Sequence, residues 1–140
     1  MVPKSKKKIK VLLVDDDAFF LRFVTSFFPR EEYEVLGASN GDEGLEHARR
    51  FRPDVILLDL NMPNRDGIET CTLLKADSAT GDIPVIILTA TDNVELNQKA
   101  FGAGAHATIL KEMSRERLLN LVEIAASTRK MAVPSEGAKT

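Results

Sequence analysis

Cysteine is nearly absent from the sequence, because Cys71 is the single one among 140 residues. No disulfide can therefore form within the chain, and nothing resembles the ligand set of a zinc or iron–sulfur site. No partner base stands near Cys71 in the sequence. We expect it to be a small buried apolar residue and not a catalytic thiol.

Long apolar runs are also missing. No segment approaches the ~18 consecutive apolar residues of a membrane-spanning helix. The lysine-rich N-terminus lacks the apolar stretch of a secretory signal. These absences predict a cytoplasmic protein without a membrane partner. The length of 140 residues is typical of one domain that buries its own core.

Charge is unevenly distributed along the chain. Residues 1–10 carry five lysines and no acid, whereas the other 130 residues carry 14 basic and 21 acidic side chains, a net charge of −7. An acidic folded part argues against direct nucleic-acid binding by this domain. We expect a flexible basic arm over 1–7, a folded domain over 8–128, and a flexible tail or linker over 129–140, where Pro, Ser and Gly occur without a period.

Apolar runs alternate with helical patterns along the whole domain. The stretch 55–58 is apolar throughout, which is typical of a strand buried on both faces. An acid, Asp59, follows it directly. Five β–α units in succession predict an α/β fold, in which a doubly wound parallel sheet carries helices on both faces. Strands are predicted over 9–14, 33–38, 54–59, 84–89 and 105–110.

Polar side chains stand where four of these strands end. Strand one ends in Asp15 and Asp16, strand three in Asp59, strand four in Thr89 and strand five in Lys111. Parallel strands place these ends at one edge of the sheet. Three carboxylates crowded together need a cation, and hard oxygen ligands favour Mg²⁺. A carboxylate nucleophile, a divalent metal, an ammonium and a hydroxyl together indicate phosphoryl transfer.

The predicted first helix, over 17–28, carries more apolar surface than one buried face needs. Phe20 and Phe28 fall on the same helical face. The excess indicates either a thick core or a patch left for a partner. We predict Phe23 in the core, with Leu21 and Phe28 as a possible partner surface.

Several separate motifs resemble the receiver domain of two-component response regulators, and the resemblance covers about residues 8–128. It implies a flavodoxin-like five-stranded sheet of order 2-1-3-4-5, the order of the chemotaxis regulator of this family. The lysine that ends strand five also matches. The other matching stretches are Val11-Leu-Leu-Val-Asp-Asp-Asp17, Pro53-Asp-Val-Ile-Leu-Leu-Asp-Leu-Asn-Met-Pro63, Asp66-Gly67 and Pro84-Val-Ile-Ile-Leu-Thr-Ala90.

The resemblance implies a phosphorylation switch. Asp59 would take a phosphoryl group from a sensor histidine kinase or a histidine phosphotransfer protein. Asp15 and Asp16 would hold Mg²⁺ together with Asp59, and the backbone carbonyl of Asn61 would complete the protein ligands. Lys111 would pair with the phosphorylated Asp59.

Thr89 would then turn toward the phosphoryl group and reshape the surface of helix four, strand five and helix five. Two positions depart from the family pattern. Glu112 stands where proline usually follows the lysine, and it could place a competing carboxylate near Lys111. Thr108 stands where an aromatic residue usually acts in the switch, so an aromatic rotamer change is excluded there.

Two other functions stay open at this point. A receiver that has lost phosphorylation through Thr108 and Glu112 would act as a phospho-independent binding module. Alternatively, the start motif of haloacid dehalogenase-type phosphatases resembles this sequence, with Asp15 as nucleophile and Asp17 as acid/base. Phe19 replaces the usual Thr or Val of that motif, and little room is left for a cap. The receiver resemblance implies a signalling protein and not an enzyme.

Overall fold

The computed structural model describes residues 7–62 and 65–138, with side chains as far as residue 128. Strands and helices alternate throughout, as the sequence predicts. The elements are β1 Ile9–Val14, α1 Ala18–Thr25, β2 Tyr33–Ala38, α2 Gly41–Phe51, β3 Val55–Asp59, α3 Gly67–Ala76, β4 Val85–Thr89, α4 Val94–Gly102, β5 Ala107–Leu110 and α5 Arg115–Ala138.

The five strands form one parallel sheet in the order β2-β1-β3-β4-β5. The predicted doubly wound fold and strand order are therefore confirmed. Helices α2, α3 and α4 contribute to the apolar cluster on one face of the sheet, and α1 and α5 contribute to the cluster on the other. No helix of the described part of the chain combines the length and the apolar character needed to cross a membrane.

Alternation along the central strands explains why they are apolar throughout. In β1, Leu12 and Val14 point into the cluster on the α2–α4 side, whereas Val11 and Leu13 point to the α1 and α5 side. All four residues are fully buried. A strand covered on both faces has no side that faces solvent, so polar side chains are disfavoured at odd and even positions alike. Polar chemistry is therefore displaced to the strand ends.

The strand register brings those ends to one level. Val14 pairs with Leu58, so the next residues along, Asp15 and Asp59, are neighbours. On the other side of β3, Asp59 itself pairs with Leu88. The sheet edge at the carboxyl ends of the strands therefore collects the polar residues predicted from the sequence.

The structure departs from the expected organisation at the C-terminal end of the chain. Residues 1–6 of the expected basic arm lie outside the described residues. Helix α5 continues to Ala138, whereas the composition of 129–140 predicted a flexible tail. Arg129, Lys130, Met131 and Ala132 are good helix formers, so a helix already established before them propagates at little cost.

Gly67 controls how closely α3 returns to the end of β3. Its N–H donates to the carbonyl of Leu60 at 2.9 Å. A Cβ at this position would collide with the backbone carbonyl of Asp59 and lie 2.8 Å from Cα of Leu60. Because both obstacles are backbone atoms, the loop between β3 and α3 has no room for a side chain here.

We expect Gly67→Ala to destabilise the fold by about 1–3 kcal/mol, the usual cost of overpacking. Urea unfolding measures this. Gly102→Ala is the matched control, because a Cβ there meets nothing within 4 Å and alanine favours helix by up to about 1 kcal/mol. Equal stability of the Gly67 variant and the wild type would contradict the close approach.

Candidate functional site

Asp59 and Asp15 face the same ammonium group. Lys111 Nζ lies 2.9 Å from Asp15 Oδ2 and 3.0 Å from Asp59 Oδ1. Asp15 is fully buried, and Asp59 is 3% exposed. Lys111 follows β5, whose last residue Leu110 pairs with Thr89. One cation from β5 thus bridges two acids from β1 and β3.

Burial dominates the electrostatics of Asp59. Loss of solvent, with the neighbouring charge of Asp15 acting in the same direction, raises the pKa of its carboxyl to about 6. Lys111 and the backbone N–H of Asn61 oppose this shift without cancelling it. Burial works to lower the pKa of Lys111, but its two carboxylate partners hold that pKa above the ordinary value. The site therefore stabilises the charged form of Lys111. The single positive charge of this lysine does not balance the negative charge of the acids.

Three acids of this edge could hold a metal ion. Ligand oxygens of Asp15, Asp16 and Asp59 all lie within 4.8 Å of one another. Asp15 Oδ2 is buried, and its close cation among the described residues, Lys111 Nζ, is shared with Asp59. One ammonium does not balance three carboxylates at this edge. A hard divalent cation fits this donor set, because it would coordinate the carboxylate oxygens and offset the excess negative charge.

Thr89 is buried at the end of β4, but its hydroxyl is engaged elsewhere. It donates to the carbonyl oxygen of Thr91 at 3.0 Å and accepts from the Thr91 N–H at 3.2 Å. Both bonds are local to the loop that follows β4. The hydroxyl is therefore available to Asp59 only after it leaves Thr91.

Sequence comparison decides the class of protein to which this site belongs. The model of the response regulator receiver domain matches residues 11–123. The chain belongs to this family. PilH of Pseudomonas aeruginosa is a receiver relative that is 34% identical over 115 residues, covering 81% of this chain and 93% of PilH.

Longer and structurally solved relatives agree with this assignment. The transcriptional regulatory protein PdtaR of Mycobacterium tuberculosis is 31% identical over 129 residues, which are 91% of this chain but 62% of PdtaR. The chain thus spans less than two thirds of that relative. The chemotaxis protein CheY4 of Vibrio cholerae superposes with a TM-score of 0.80 at 31% identity, over 85% of this chain and 99% of CheY4.

The receiver family fixes the class of function. Receiver domains are signalling modules of response regulators in two-component systems, and phosphorylation of an aspartate is typical of them. Receivers interact with histidine kinases or phosphotransfer proteins. The predicted receiver class is confirmed.

The Asp17 carboxylate has a structural role in this receiver. It accepts hydrogen bonds from the N–H groups of Phe19 and Phe20 and so caps α1. Asp17 is exposed at the surface. A carboxylate used as a helix cap is poorly placed for acid–base chemistry at Asp15. The geometry gives no support to the phosphatase alternative.

The two positions that depart from the receiver pattern lie beside a cavity of about 340 Å³. The Thr108 hydroxyl donates to Asn97 Oδ1 at 3.1 Å, and Asn97 Nδ2 donates to Asp92 Oδ1 at 3.4 Å. Polar contacts therefore connect β5 through α4 to the loop after Thr89. Glu112 is exposed and lines the same cavity.

Glu112 does not compete for the lysine in this conformation. Within residues 7–62 and 65–128, the ion pairs of Lys111 are those with Asp15 and Asp59. The expectation of a competing carboxylate is therefore corrected. The peptide bond between Lys111 and Glu112 is trans.

The aromatic residues of the α1 segment are placed differently from the prediction. Phe28 is 5% exposed and packs edge-on against Tyr33, with ring centroids 5.0 Å apart. It is a core residue and not a partner surface. The prediction is wrong because Phe28 was counted as excess apolar surface, although it packs on the same side as Phe20, in the cluster that α5 shares.

The prediction that Phe23 lies in the core is also wrong, because Phe23 is 50% exposed. Its ring stacks with that of Phe19 at 6.4 Å and meets that of Phe27 edge-on at 5.0 Å. Leu21 is half-buried against the core. The exposed aromatic patch of α1 therefore consists of Phe19 and Phe23, whereas Leu21 lies beside Gly37 of β2.

The single cysteine is confirmed as a buried residue. The Cys71 thiol lies 3.5 Å from the carbonyl oxygen of Ala103. Burial raises the pKa of this thiol to about 11. A thiol in this state has negligible thiolate at neutral pH, which excludes it as a nucleophile.

Removing the Asp59 charge should stabilise the metal-free protein. A raised acid pKa means that the folded state disfavours the carboxylate, and this penalty grows as the pH rises from 3.8 through about 6. We expect Asp59→Asn to be more stable at pH 7 in EDTA, by at most about 3 kcal/mol. This advantage should shrink as the pH falls toward 4, where wild-type Asp59 is protonated.

Urea unfolding at pH 7, 5 and 4 measures the difference. Glu31→Gln is the control, because Glu31 is exposed, lies before β2 and not at the acid edge, and a surface substitution usually changes stability by less than about 0.5 kcal/mol. An Asp59→Asn advantage that stays constant over this pH range would contradict the assigned cause.

Proposed function

We propose that Asp59 accepts a phosphoryl group from a sensor histidine kinase or a histidine phosphotransfer protein. The observation that carries the proposal is the shared ammonium of Lys111, which faces Asp59 and Asp15 at one edge of the sheet. A carboxylate on a strand buried on both faces is held rigidly. Its pKa of about 6 leaves it mainly ionised at neutral pH and therefore nucleophilic.

Magnesium is the proposed cofactor. Asp15, Asp16 and Asp59 would hold it, together with the backbone carbonyl of Asn61. The acid cluster, whose one close ammonium is shared between Asp15 and Asp59, supports this assignment. When bound, Mg²⁺ supplies positive charge to the transferring phosphoryl oxygens.

Residues of the chain perform the remaining steps. An Asp59 carboxylate oxygen bonds to phosphorus while the bond from phosphorus to the donor breaks, and the electron pair leaves with the donor. The Lys111 ammonium keeps its proton and moves its pairing from the carboxylates to the phosphoryl oxygens. Thr89 releases Thr91 and donates its hydroxyl to a phosphoryl oxygen.

The output of the switch is a change in protein contacts. Turning Thr89 would alter the loop after β4, which the Asp92–Asn97–Thr108 contacts connect to α4 and β5. These contacts occupy the position at which the family usually carries an aromatic residue. We propose that the domain signals in the cytoplasm through a partner or an attached output domain. It would act without enzymatic turnover and without binding nucleic acid directly.

Phosphosite mapping tests this function. We expect acetyl phosphate with Mg²⁺ to add one phosphoryl group at Asp59, and Asp59→Asn to take up none. Omission of Mg²⁺ should abolish the reaction in the wild type. Mass spectrometry after borohydride reduction identifies the modified residue.

Two outcomes would contradict the proposal. Modification at Asp15, or rapid multiple-turnover hydrolysis, would support the phosphohydrolase. Absence of a phosphoprotein, together with partner binding that beryllofluoride does not change, would support a phospho-independent binding module.

The α1 patch is proposed as the docking surface for the phosphoryl donor protein. Phe23 is half exposed, so Phe23→Gln should spare the fold. We expect it to slow transfer from the partner about tenfold, within the range lost when an interface aromatic is truncated. The rate with acetyl phosphate should be unchanged.

Phe101→Gln on α4 is the matched control, because Phe101 is 52% exposed and lies on another helix. Equal slowing by both variants would contradict the proposal that the α1 patch docks the phosphoryl donor. Leu21→Glu would disturb folding as well as docking, since Leu21 packs partly against the core.

A further inference from the structure

Lys111 has a third neighbour besides the two carboxylates. Its Nζ lies 4.5 Å from the centroid of the Phe20 ring. Phe20 belongs to α1 and is partly buried against the cluster that α1 and α5 share. The ammonium is thus placed between Asp15, Asp59 and an aromatic face.

The Phe20 ring restricts the position of the Lys111 ammonium in a way that the carboxylates alone do not. A lysine ammonium is a point charge on a flexible stem, so ion pairs alone leave its position loosely defined. A cation within about 6 Å of an aromatic face is attracted to it, and more strongly when solvent is excluded. The Lys111 side chain is 24% exposed, which leaves little water to weaken this attraction.

The ring and the acids come from one continuous segment. Asp15 and Asp16 follow β1 directly, and the next residue, Asp17, caps α1 by accepting from the Phe20 N–H at 3.3 Å. The cap fixes Phe20 relative to the acids. Lys111 arrives from β5 on the other side. Phe20 therefore fixes where the ammonium sits relative to the acid edge.

We infer that Phe20 is a positioning residue for Lys111, on the basis of the proposed phosphoryl transfer to Asp59. When a cation takes the charge of Asp15, Lys111 loses one of its two ion pairs. The uncharged ring remains attractive in every charge state of the acids. It keeps the ammonium beside Asp59 while the carboxylate bonds to phosphorus and acetate leaves acetyl phosphate with the electron pair.

Phe20→Leu and Phe20→Tyr separate this role from simple packing. Leucine keeps apolar bulk but removes the ring face, whereas tyrosine keeps the face. We expect Phe20→Leu to lower the second-order rate with acetyl phosphate about three- to tenfold, and Phe20→Tyr to stay within about twofold of wild type. Should Phe20→Leu not fold, Phe20→Met takes its place.

Phe51→Leu is the matched control. It removes a second contact of the same kind, in which Lys10 Nζ lies 4.9 Å from the Phe51 ring near the opposite end of β1. We expect the phosphorylation rate of this variant to equal that of the wild type. Thermal melts of all variants show whether a rate change follows lost stability.

NMR of lysine side chains provides a readout that does not depend on activity. In metal-free protein, the Lys111 Hε resonances should be displaced by the ring current of Phe20. This displacement should vanish in Phe20→Leu and persist in Phe20→Tyr. An unchanged Lys111 signal, or equal rate losses in both variants, would overturn the inference.

The rate assay also distinguishes this inference from the proposed function. A wild-type protein that accepts no phosphoryl group would overturn the function, and with it this role of Phe20. A phosphorylated wild type whose rate Phe20→Leu leaves unchanged would overturn the role of Phe20 alone.

Discussion

One ammonium shared between two buried carboxylates is the constraint on which this receiver site depends. Lys111 satisfies part of the charge of Asp15 and Asp59, and Asp16 adds a third acid nearby. The edge therefore has a deficit of positive charge that a metal would fill. A cation, and then a phosphoryl group that pairs with Lys111, would offset this imbalance of charge.

The rest of the fold keeps these groups from moving apart. Parallel pairing fixes β1, β3 and β4 in register, and each strand is buried on both faces. Gly67 allows the loop after β3 to return tightly against Asp59. Acids that repel one another are thus held together by a core that does not involve them. This rigidity costs stability, because the acids cannot move apart, and it would hold Asp59 in place for the proposed phosphoryl transfer.

The sequence predicted the features that depend on the hydrophobic pattern and on the residues that end each strand. Apolar runs, broken in β1 only by Lys10, identified β1, β3 and β4, and the residue after each run identified the polar edge. Contacts between distant elements were not predictable in this way: the Phe20 ring faces a lysine from β5, and Thr108 bonds to Asn97 of α4. An excess of apolar residues in the α1 segment also did not show which of them are covered, so the expected environments of Phe23 and Phe28 were both wrong.

A crystal structure with Mg²⁺ and beryllofluoride tests the central claim most directly. The account predicts beryllium bonded to a carboxylate oxygen of Asp59 and a cation between Asp15, Asp16 and Asp59. Lys111 Nζ should have moved from Asp15 Oδ2 to a fluorine atom. An adduct on Asp15, or Lys111 still bridging Asp15 and Asp59 with no adduct at saturating beryllofluoride, would contradict it.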